Sequence, residues 1–346
     1  MGSISQPGSR PAPTLKEVAG AAGVSRATAS RVLSENPRVS DHTRRAVERA
    51  AQKLGYVPNR AARSLRTGRT DSIALVIPEP TNRLFSDPHF PRIVRGVTEV
   101  LSAHDLQLVL LAPQSRVDEE RLEGYLTAGH VDGALLISLH GDDPLPARLT
   151  HRRLPVVVGG RPPVGGSVSY VDVDNVGGAV SAVRHLVDLG RRAIATITGP
   201  PDMPAAQDRL DGYRRALQAT GLPVEDALAE SGDFSQDGGI AAMRTLLERR
   251  PALDAVFAAS DLMGAGALQA LREAGRRVPG DVAVVSFDDS PIAATTLPPL
   301  SSVRQPIEEM GREMARLLLA AVESRDNVPR RVILATELVV RGSSTE

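Results

Sequence analysis

The chain has 346 residues, more than one typical hydrophobic core organises, so its length predicts two or more domains. Hydrophobic residues make up 42% and charged residues 24%, which is enough apolar material for sizeable cores. The absence of cysteine excludes disulfides, thiolate metal sites and cysteine nucleophiles. No apolar run approaches the roughly 20 residues that span a bilayer, so we expect no membrane partner.

Charge is distributed unevenly along the chain although the formal net charge is zero. Residues 1–70 contain 13 Lys and Arg against 4 Asp and Glu, whereas the remaining residues contain 28 against 37. A basic head on an acidic body predicts that the head alone binds a polyanion. Residues 1–13 are rich in Gly, Ser and Pro and lack the apolar segment of a secretory signal, which predicts a disordered extension and a cytoplasmic protein.

The basic head, residues 14–58, is predicted to fold as three helices. Thr14 is a suitable N-cap for a helix over 15–22, and Ser25 for a second over 26–33. A glycine-containing turn separates the two, and a third helix begins near Ser40. Two short helices joined by such a turn predict a helix-turn-helix, a DNA-binding motif.

The second helix carries the side chains that a major-groove helix needs. Arg26 and Ala27 lie at its N-terminal end, where such motifs contact base edges. Arg31 offers a bidentate fork to guanine, and Thr28 and Ser30 can reach phosphates or bases. An Arg-rich and Ala-rich helix without a DNA partner is the alternative interpretation.

Residues 59–70 follow as a predicted hinge helix and linker. Asn59 is a good N-cap, but the segment has too few apolar residues to be stable alone. We therefore expect it to order only against DNA or a second copy of the chain.

Residues 14–70 resemble the head and hinge of the lactose-repressor/galactose-repressor (LacI/GalR) family. The motifs VAxxAGVS, SRVL and GYxPNxxARxL carry this resemblance. It implies that Arg26, Ala27 and Arg31 read bases. It implies further DNA contacts, mostly to phosphates, for Thr14, Ser25, Thr28, Ser30, Thr43, Tyr56 and Asn59.

The same resemblance implies a minor-groove role for the hinge helices of two subunits. Leu65 would wedge into the central base step and kink the DNA, and Ala62 would lie close to the groove floor.

The body, residues 71–346, shows strand-like and helical segments in alternation. A first series spans 72–158 and a second spans 176–287. Strands that alternate with helices predict parallel sheets covered on both faces, so two series predict two doubly wound lobes like those of periplasmic binding proteins. Ligands of this architecture bind beyond the carboxyl ends of strands, here in the cleft between the lobes.

Candidate effector-binding side chains follow the predicted strands. Carboxylates and arginines exchange hydrogen bonds with sugar hydroxyls, and an aromatic ring can cover the C–H face of a sugar. An aspartate after a strand is also a common helix cap, so a structural role for Asp261 stays open. The candidates are Phe85, Asp87, Phe90, His140, Arg209, Phe234, Ser260, Asp261 and Asp288.

The family resemblance extends through the body, in the segments 209–217, 258–275 and 278–319. It implies that Arg209 and Asp288 bind hydroxyls and that Phe234 is the stacking ring. Ser260 stands where sugar-binding relatives often have Asn, and Ser286 where many have Gly, which leaves the identity of the ligand open. The chain shows no leucine heptads after a last predicted strand at 332–340, so a homodimer is expected.

The remaining residue patterns give little support for a cofactor site or a metal site. The Gly264-x-Gly266 pattern lacks the third position of a dinucleotide fingerprint, and the seven histidines show no metal-ligand spacing. We therefore expect no cofactor and no metal.

A solute-binding protein would need a signal peptide, and a Rossmann-type sugar or nucleotide enzyme would need a phosphate loop or an acid/base pair. The sequence favours instead a transcriptional regulator, most simply a repressor, that binds a pseudo-palindromic operator under the control of a small effector.

Overall fold

The computed structural model describes residues 13–33, 38–56, 69–162, 168–324 and 328–345, and it divides the chain into two units, 1–70 and 71–346. The predicted extension over 1–13 and the hinge over 59–70 lie almost entirely outside the described residues. The assignments made to Asn59, Ala62 and Leu65 therefore remain predictions from the sequence.

The first unit contains three helices, each with a side-chain cap at its N-terminus. They are α1 (Leu15–Ala21), α2 (Arg26–Val32) and α3 (Asp41–Leu54). Thr14 forms a capping box with Glu17 on α1, and Ser25 and Ser40 accept hydrogen bonds from the first turns of α2 and α3. These caps confirm the predicted helix starts.

A small apolar core holds the three helices together. Its buried side chains are Val18, Ala19, Ala29, Val32, Val47, Ala50 and Ala51. Gly23 has φ of +66° and makes the turn between α1 and α2, a conformation that glycine adopts without strain. The predicted helix-turn-helix is confirmed.

The body contains two six-stranded sheets, which we call lobe one and lobe two. Lobe one has the strand order β11-β5-β4-β3-β1-β2, with all pairs parallel. Its strands are β1 (Ser72–Val76), β2 (Gln107–Leu111), β3 (Gly133–Ile137), β4 (Val156–Gly159), β5 (Ser169–Val173) and β11 (Arg331–Leu334). Its helices are α4 (Thr81–Ser86), α5 (His89–Ser102), α6 (Arg116–Thr127), α7 (Leu145–His151) and α13 (Ile307–Ser324).

Lobe two has the order β12-β10-β9-β8-β6-β7, parallel except for the antiparallel pair of β10 and β12. Its strands are β6 (Ile194–Thr198), β7 (Ala229–Ser231), β8 (Ala255–Ala258), β9 (Ala283–Asp288), β10 (Ser301–Arg304) and β12 (Glu337–Val339). Its helices are α8 (Asn175–Asp188), α9 (Pro204–Ala219), α10 (Gln236–Arg249), α11 (Asp261–Glu273) and α12 (Pro291–Thr295). The predicted pair of doubly wound lobes is confirmed.

The chain crosses between the lobes three times, at Asp174, at Gln305-Pro306 and at Ala335-Thr336. The prediction of one final strand over 332–340 is wrong, because the third crossing interrupts it and gives β11 to lobe one and β12 to lobe two. Each lobe is therefore built from separate stretches of sequence.

After the second crossing, the chain is held on lobe one by a close contact between two helices. Helix α13 returns to lobe one and packs on α5, where Gly96 and Gly311 face each other. A Cβ built on Gly96 would lie 2.0 Å from the carbonyl oxygen of Glu308. Only glycine therefore permits this approach of the two backbones.

Candidate functional site

The body contains a cleft between its two lobes, at the carboxyl ends of the strands. The empty space within it amounts to about 870 Å³, a figure that includes open solvent. Lobe one contributes the ends of β3, β4 and β5 together with α5, and lobe two contributes α9 and the ends of β8 and β9. The position agrees with the predicted location of a ligand.

Arg209 is the most constrained side chain of the cavity. It lies in the second turn of α9, and its side chain is 7% exposed. Its Nε donates to Asn175 Oδ1 at 2.9 Å and its Nη1 donates to the carbonyl of Ala259 at 2.5 Å. Helix α9 begins five residues before Arg209, at Pro204, whose fixed φ suits a first turn.

Asp288 faces Arg209 from the end of β9. The two side chains approach to 3.5 Å between Nη1 and Oδ1, and Gln305 Nε2 also donates to Asp288 Oδ1. Desolvation raises the pKa of the Asp288 carboxyl, while the Arg209 guanidinium opposes that rise. Asp288 has φ of +114°, a strained backbone that aims the carboxyl into the cleft. Together the pair can donate to and accept from adjacent hydroxyls.

Aromatic rings form the apolar part of the cavity. Phe234 and Phe90 both line it, and the Arg83 guanidinium lies 5.5 and 5.9 Å from their ring centroids. The Phe234 ring depends on Gly199, where a Cβ would lie 2.1 Å from its Cζ. A flat ring seated against backbone is suited to the C–H face of a sugar.

Several polar lining residues were not identified from the sequence. Desolvation lowers the pKa of His89 to about 4, so this ring is neutral near pH 7, and desolvation raises the pKa of Asp172. The signal for Asp172 and Asn175 is the end of β5, which was not predicted because its sequence, SYVDV, mixes polar and apolar residues. The missed polar lining residues are Arg83, His89, Ser138, Arg161, Asp172, Asn175 and Gln305.

The nine effector candidates divide into two groups. Six line the cavity, namely Asp87, Phe90, Arg209, Phe234, Ser260 and Asp288. Phe85, His140 and Asp261 do not line it. Phe85 is 71% exposed because Leu84 is the residue of α4 that faces the core. His140 lies between Glu79 of lobe one and Asp202 of lobe two.

Asp261 has a structural role in lobe two. Its side chain is buried and accepts hydrogen bonds at 2.6 Å from Ser286 Oγ, from Ser302 Oγ and from the backbone N–H of Ser290. It therefore joins α11 to β9, to β10 and to the start of α12. The prediction that Asp261 binds the effector is corrected to a role inside the lobe.

Replacing Asp261 with alanine should lower the free energy of unfolding by about 2–3 kcal/mol, because three buried donors lose their acceptor. Denaturant unfolding of the full-length chain measures this loss. The matched control is Asp237→Ala, an exposed acidic residue in the first turn of α10, which should change stability by less than about 0.5 kcal/mol. Equal effects of the two substitutions would contradict the structural role.

The candidate DNA-contacting residues that the structure describes in the first unit lie at its surface. Arg26, Ala27 and Arg31 of α2 are exposed, whereas Ala29 and Val32 face the core. Ser25 Oγ and Thr28 Oγ1 are 2.9 Å apart at the start of α2, and Thr14, Ser30, Thr43 and Tyr56 are exposed or half-buried. The exposed face of α2 is thus available to a groove.

None of the helices in the described part of the chain is long and apolar enough to cross a bilayer. Within the same ranges, no group of three or more His, Asp or Glu side chains is placed to hold a metal ion.

Comparisons with known proteins agree with both units. Residues 14–59 match the family model of bacterial regulatory proteins, lacI family, and residues 183–344 match a periplasmic binding protein-like domain. The chain is 54% identical to the HTH-type transcriptional regulator CelR of Thermobifida fusca over 96% of this chain and 98% of the relative. It is 34% identical to the ribose operon repressor of Escherichia coli over 96% and 99% of the two chains.

Solved structures give the same result. The transcriptional regulator CelR–cellobiose complex aligns with a TM-score of 0.77 at 52% identity, covering 96% of this chain and 99% of the other. The lac repressor dimer bound to operator and the anti-inducer ONPF aligns with a TM-score of 0.85 at 27% identity and the same coverage. The chain therefore belongs to the LacI family of DNA-binding transcriptional regulators.

Proposed function

We propose that the protein represses transcription from a pseudo-palindromic operator, which it binds as a homodimer, and that an uncharged sugar of disaccharide size controls this binding. The observation that carries the proposal is the Arg209–Asp288 pair beside the Phe234 ring inside the cleft. The similarity to CelR, whose solved complex contains cellobiose, supports cellobiose as the first sugar to test.

The charges of the cavity favour an uncharged ligand. Among the residues that the structure describes, each arginine lining the cavity has a carboxylate partner: Glu79 for Arg83, Asp208 for Arg161 and Asp288 for Arg209. The low pKa of His89 leaves that ring neutral. A phosphorylated sugar would bring negative charge to a site whose cations are already paired.

The head supplies the second half of the proposed function. Arg26, Ala27 and Arg31 would read bases, the other candidate residues of the head would position it on phosphates, and Leu65 would enter the minor groove. This assignment rests on the motifs of the sequence and on the exposed face of α2. The proposed activity is regulation rather than catalysis, and the proposed location is the cytoplasm, where the operator is.

An electrophoretic mobility shift assay tests the proposal. The full-length protein is titrated against the DNA upstream of its own gene and its neighbours, with cellobiose, glucose, ribose and glucose 6-phosphate added separately. We expect a specific shift that cellobiose changes and glucose 6-phosphate does not. A shift that responds only to the phosphorylated sugar would contradict the assignment of an uncharged ligand.

Arg31→Ala should weaken binding to the operator by about 1–3 kcal/mol while binding to unrelated DNA falls less, because a bidentate contact to a guanine edge is specific to sequence. Fluorescence anisotropy on both DNAs at one salt concentration measures the difference. Arg152→Ala, an exposed arginine of the body, is the matched control. An equal loss on both DNAs would assign Arg31 to the phosphate backbone.

A further inference from the structure

His140 connects the two lobes at the mouth of the cleft. It follows β3 in lobe one, and its Nδ1 lies 2.9 Å from Asp202 Oδ2 in the loop that follows β6 of lobe two. Its Nε2 lies 3.3 Å from Glu79 Oε1, which belongs to lobe one. We call Glu79, His140 and Asp202 the His140 bridge.

The geometry of the His140 bridge requires two donors from one imidazole. A neutral imidazole has one N–H and one lone pair, so only one ring nitrogen could donate to a carboxylate and the other would face it with a lone pair. The protonated ring donates from both nitrogens. Hydrogen bonds to Glu79 and Asp202 raise the pKa of His140 and outweigh the effect of its partial burial.

The surrounding charges are also defined. Glu79 is 3% exposed and has further partners in Arg83, at 3.0 Å, and in the hydroxyl of Ser138. Burial raises the pKa of Glu79, but these partners and His140 outweigh it and lower the pKa overall, so Glu79 stays ionised near neutral pH. Asp142 and Arg161 line a small hollow at the mouth of the cleft together with Asp202.

Two further contacts join the lobes beside the His140 bridge. The backbone N–H of Gly141 donates to the carbonyl of Asp202 at 3.0 Å, and Arg161 Nη2 lies 2.5 Å from Asp208 Oδ1. The first of these contacts joins two peptide groups, which do not titrate. The His140 ring, by contrast, can change its protonation between pH 6 and 9.

We propose that protonated His140 fastens the two lobes together over the effector cavity, so that the closed arrangement and the affinity for the effector weaken together as the pH rises. The statement about affinity rests on the proposed function, whereas the statement about the lobes does not. His140 is a positioning residue in this proposal, since it does not line the cavity.

The direction of the pH effect follows from linkage. When the lobes separate, His140 keeps Glu79 but loses Asp202, so its pKa is higher in the closed arrangement than in the open one. The Asp202 contact therefore contributes fully to the stability of the closed arrangement at pH below the open-state pKa of His140. This contribution is lost as the pH rises through the closed-state pKa.

A double-mutant cycle on the ligand-free, full-length protein tests the bridge itself. The variants are His140→Ala, Asp202→Ala and the double variant, followed by thermal unfolding at pH 6 and pH 9. At pH 6 we expect the double variant to lose about 3 °C less in Tm than the sum of the single losses, because the single variants remove the same contact. At pH 9 the losses should add.

The matched control is His151→Ala, an exposed histidine on α7 of lobe one, which should show no coupling to Asp202→Ala at either pH. Additive losses at pH 6, or the same coupling at pH 6 and pH 9, would overturn the proposal. If His140→Ala fails to fold, His140→Gln takes its place in the cycle.

Calorimetric titration with cellobiose at pH 6 and pH 9 tests the effect on affinity. We expect Kd of the wild-type protein to rise about fivefold more over this range than Kd of Asp202→Ala, for the loss of one charge-assisted hydrogen bond. Equal changes in the two proteins would overturn the link to affinity. Absence of cellobiose binding at both pH values would contradict the proposed ligand, while the thermal cycle would still decide the bridge.

Discussion

Arg209→Ala is expected to weaken effector binding by at least about 100-fold, a loss of about 2.7 kcal/mol in binding free energy, while ligand-free binding to the operator is kept. The substitution removes the guanidinium that faces the ligand, and it also leaves Asp288 without its cation. Loss of one partner from a buried ion pair costs about 3–5 kcal/mol in unfolding free energy. Calorimetry with cellobiose and a mobility shift without sugar measure the two functions separately.

Two further variants keep this prediction interpretable. Arg215→Ala removes an exposed arginine of the same helix, which pairs with Asp211 one turn earlier, and should change neither function. Arg209→Lys keeps a cation near Asp288 but loses the fixed geometry towards Asn175 and the Ala259 carbonyl, so intermediate affinity is expected. An effector response retained in a folded Arg209→Ala protein would place the ligand elsewhere.

Gly96→Ala is expected to lower the unfolding free energy of the body by about 3 kcal/mol or more, and its Tm by about 6–10 °C. The added Cβ would meet the backbone carbonyl of Glu308 at 2.0 Å, so α5 and α13 would have to separate. Because α13 is the segment that returns to lobe one, a looser contact weakens the part of the lobe that follows the second crossing. Calorimetric or circular-dichroism melting measures the effect.

Gly124→Ala is the control for this substitution. Gly124 lies inside α6, and a Cβ at this position meets nothing within 4 Å. Alanine should therefore raise the stability by about 0.5–1 kcal/mol through the lower entropy of the unfolded chain. If both substitutions stabilise the protein, the close contact between α5 and α13 is not required.

Local rules predicted most of the first unit. Thr14, Ser25 and Ser40 each cap a helix as expected, because an N-cap depends on hydrogen bonds within one turn. Apolar spacing then predicted which side of each helix faces the core. These interactions join residues that are close in sequence, so the amino-acid sequence alone was sufficient to predict them.

Long-range topology was not predictable in the same way. β5 and β10 contain serines and an aspartate, so neither reads as a buried strand, although the serines of β10 are fully buried. The crossing that separates β11 from β12 is set by which sheet has a free edge, and that is a property of the assembled body. The predicted series therefore ended too early in each lobe.

The same distinction between local and long-range interactions applies to the residues of the candidate site. Arg209, Asp288 and Phe90 line the cavity. The sequence singled out the first two because they belong to segments with a family pattern, and Phe90 because it follows the first strand. Asp261 was misassigned, since its bonds to Ser286 and Ser302 depend on two strands that are distant in sequence. His140 was misassigned because its partner Asp202 belongs to the other lobe.

The three crossings restrict how the body can move. Two rigid bodies joined by a single connecting segment can rotate relative to each other in any direction. Three short connecting segments leave chiefly a bending motion, whose axis passes through the three segments. The second crossing includes Gln305, which donates to Asp288. The third crossing includes Thr336, whose hydroxyl donates to the carbonyl of Asp174 in the first crossing. A ligand that bonded to the Asp288 carboxyl would compete with a hydrogen bond made by the hinge itself, and this competition would couple occupancy of the cavity to the angle between the lobes.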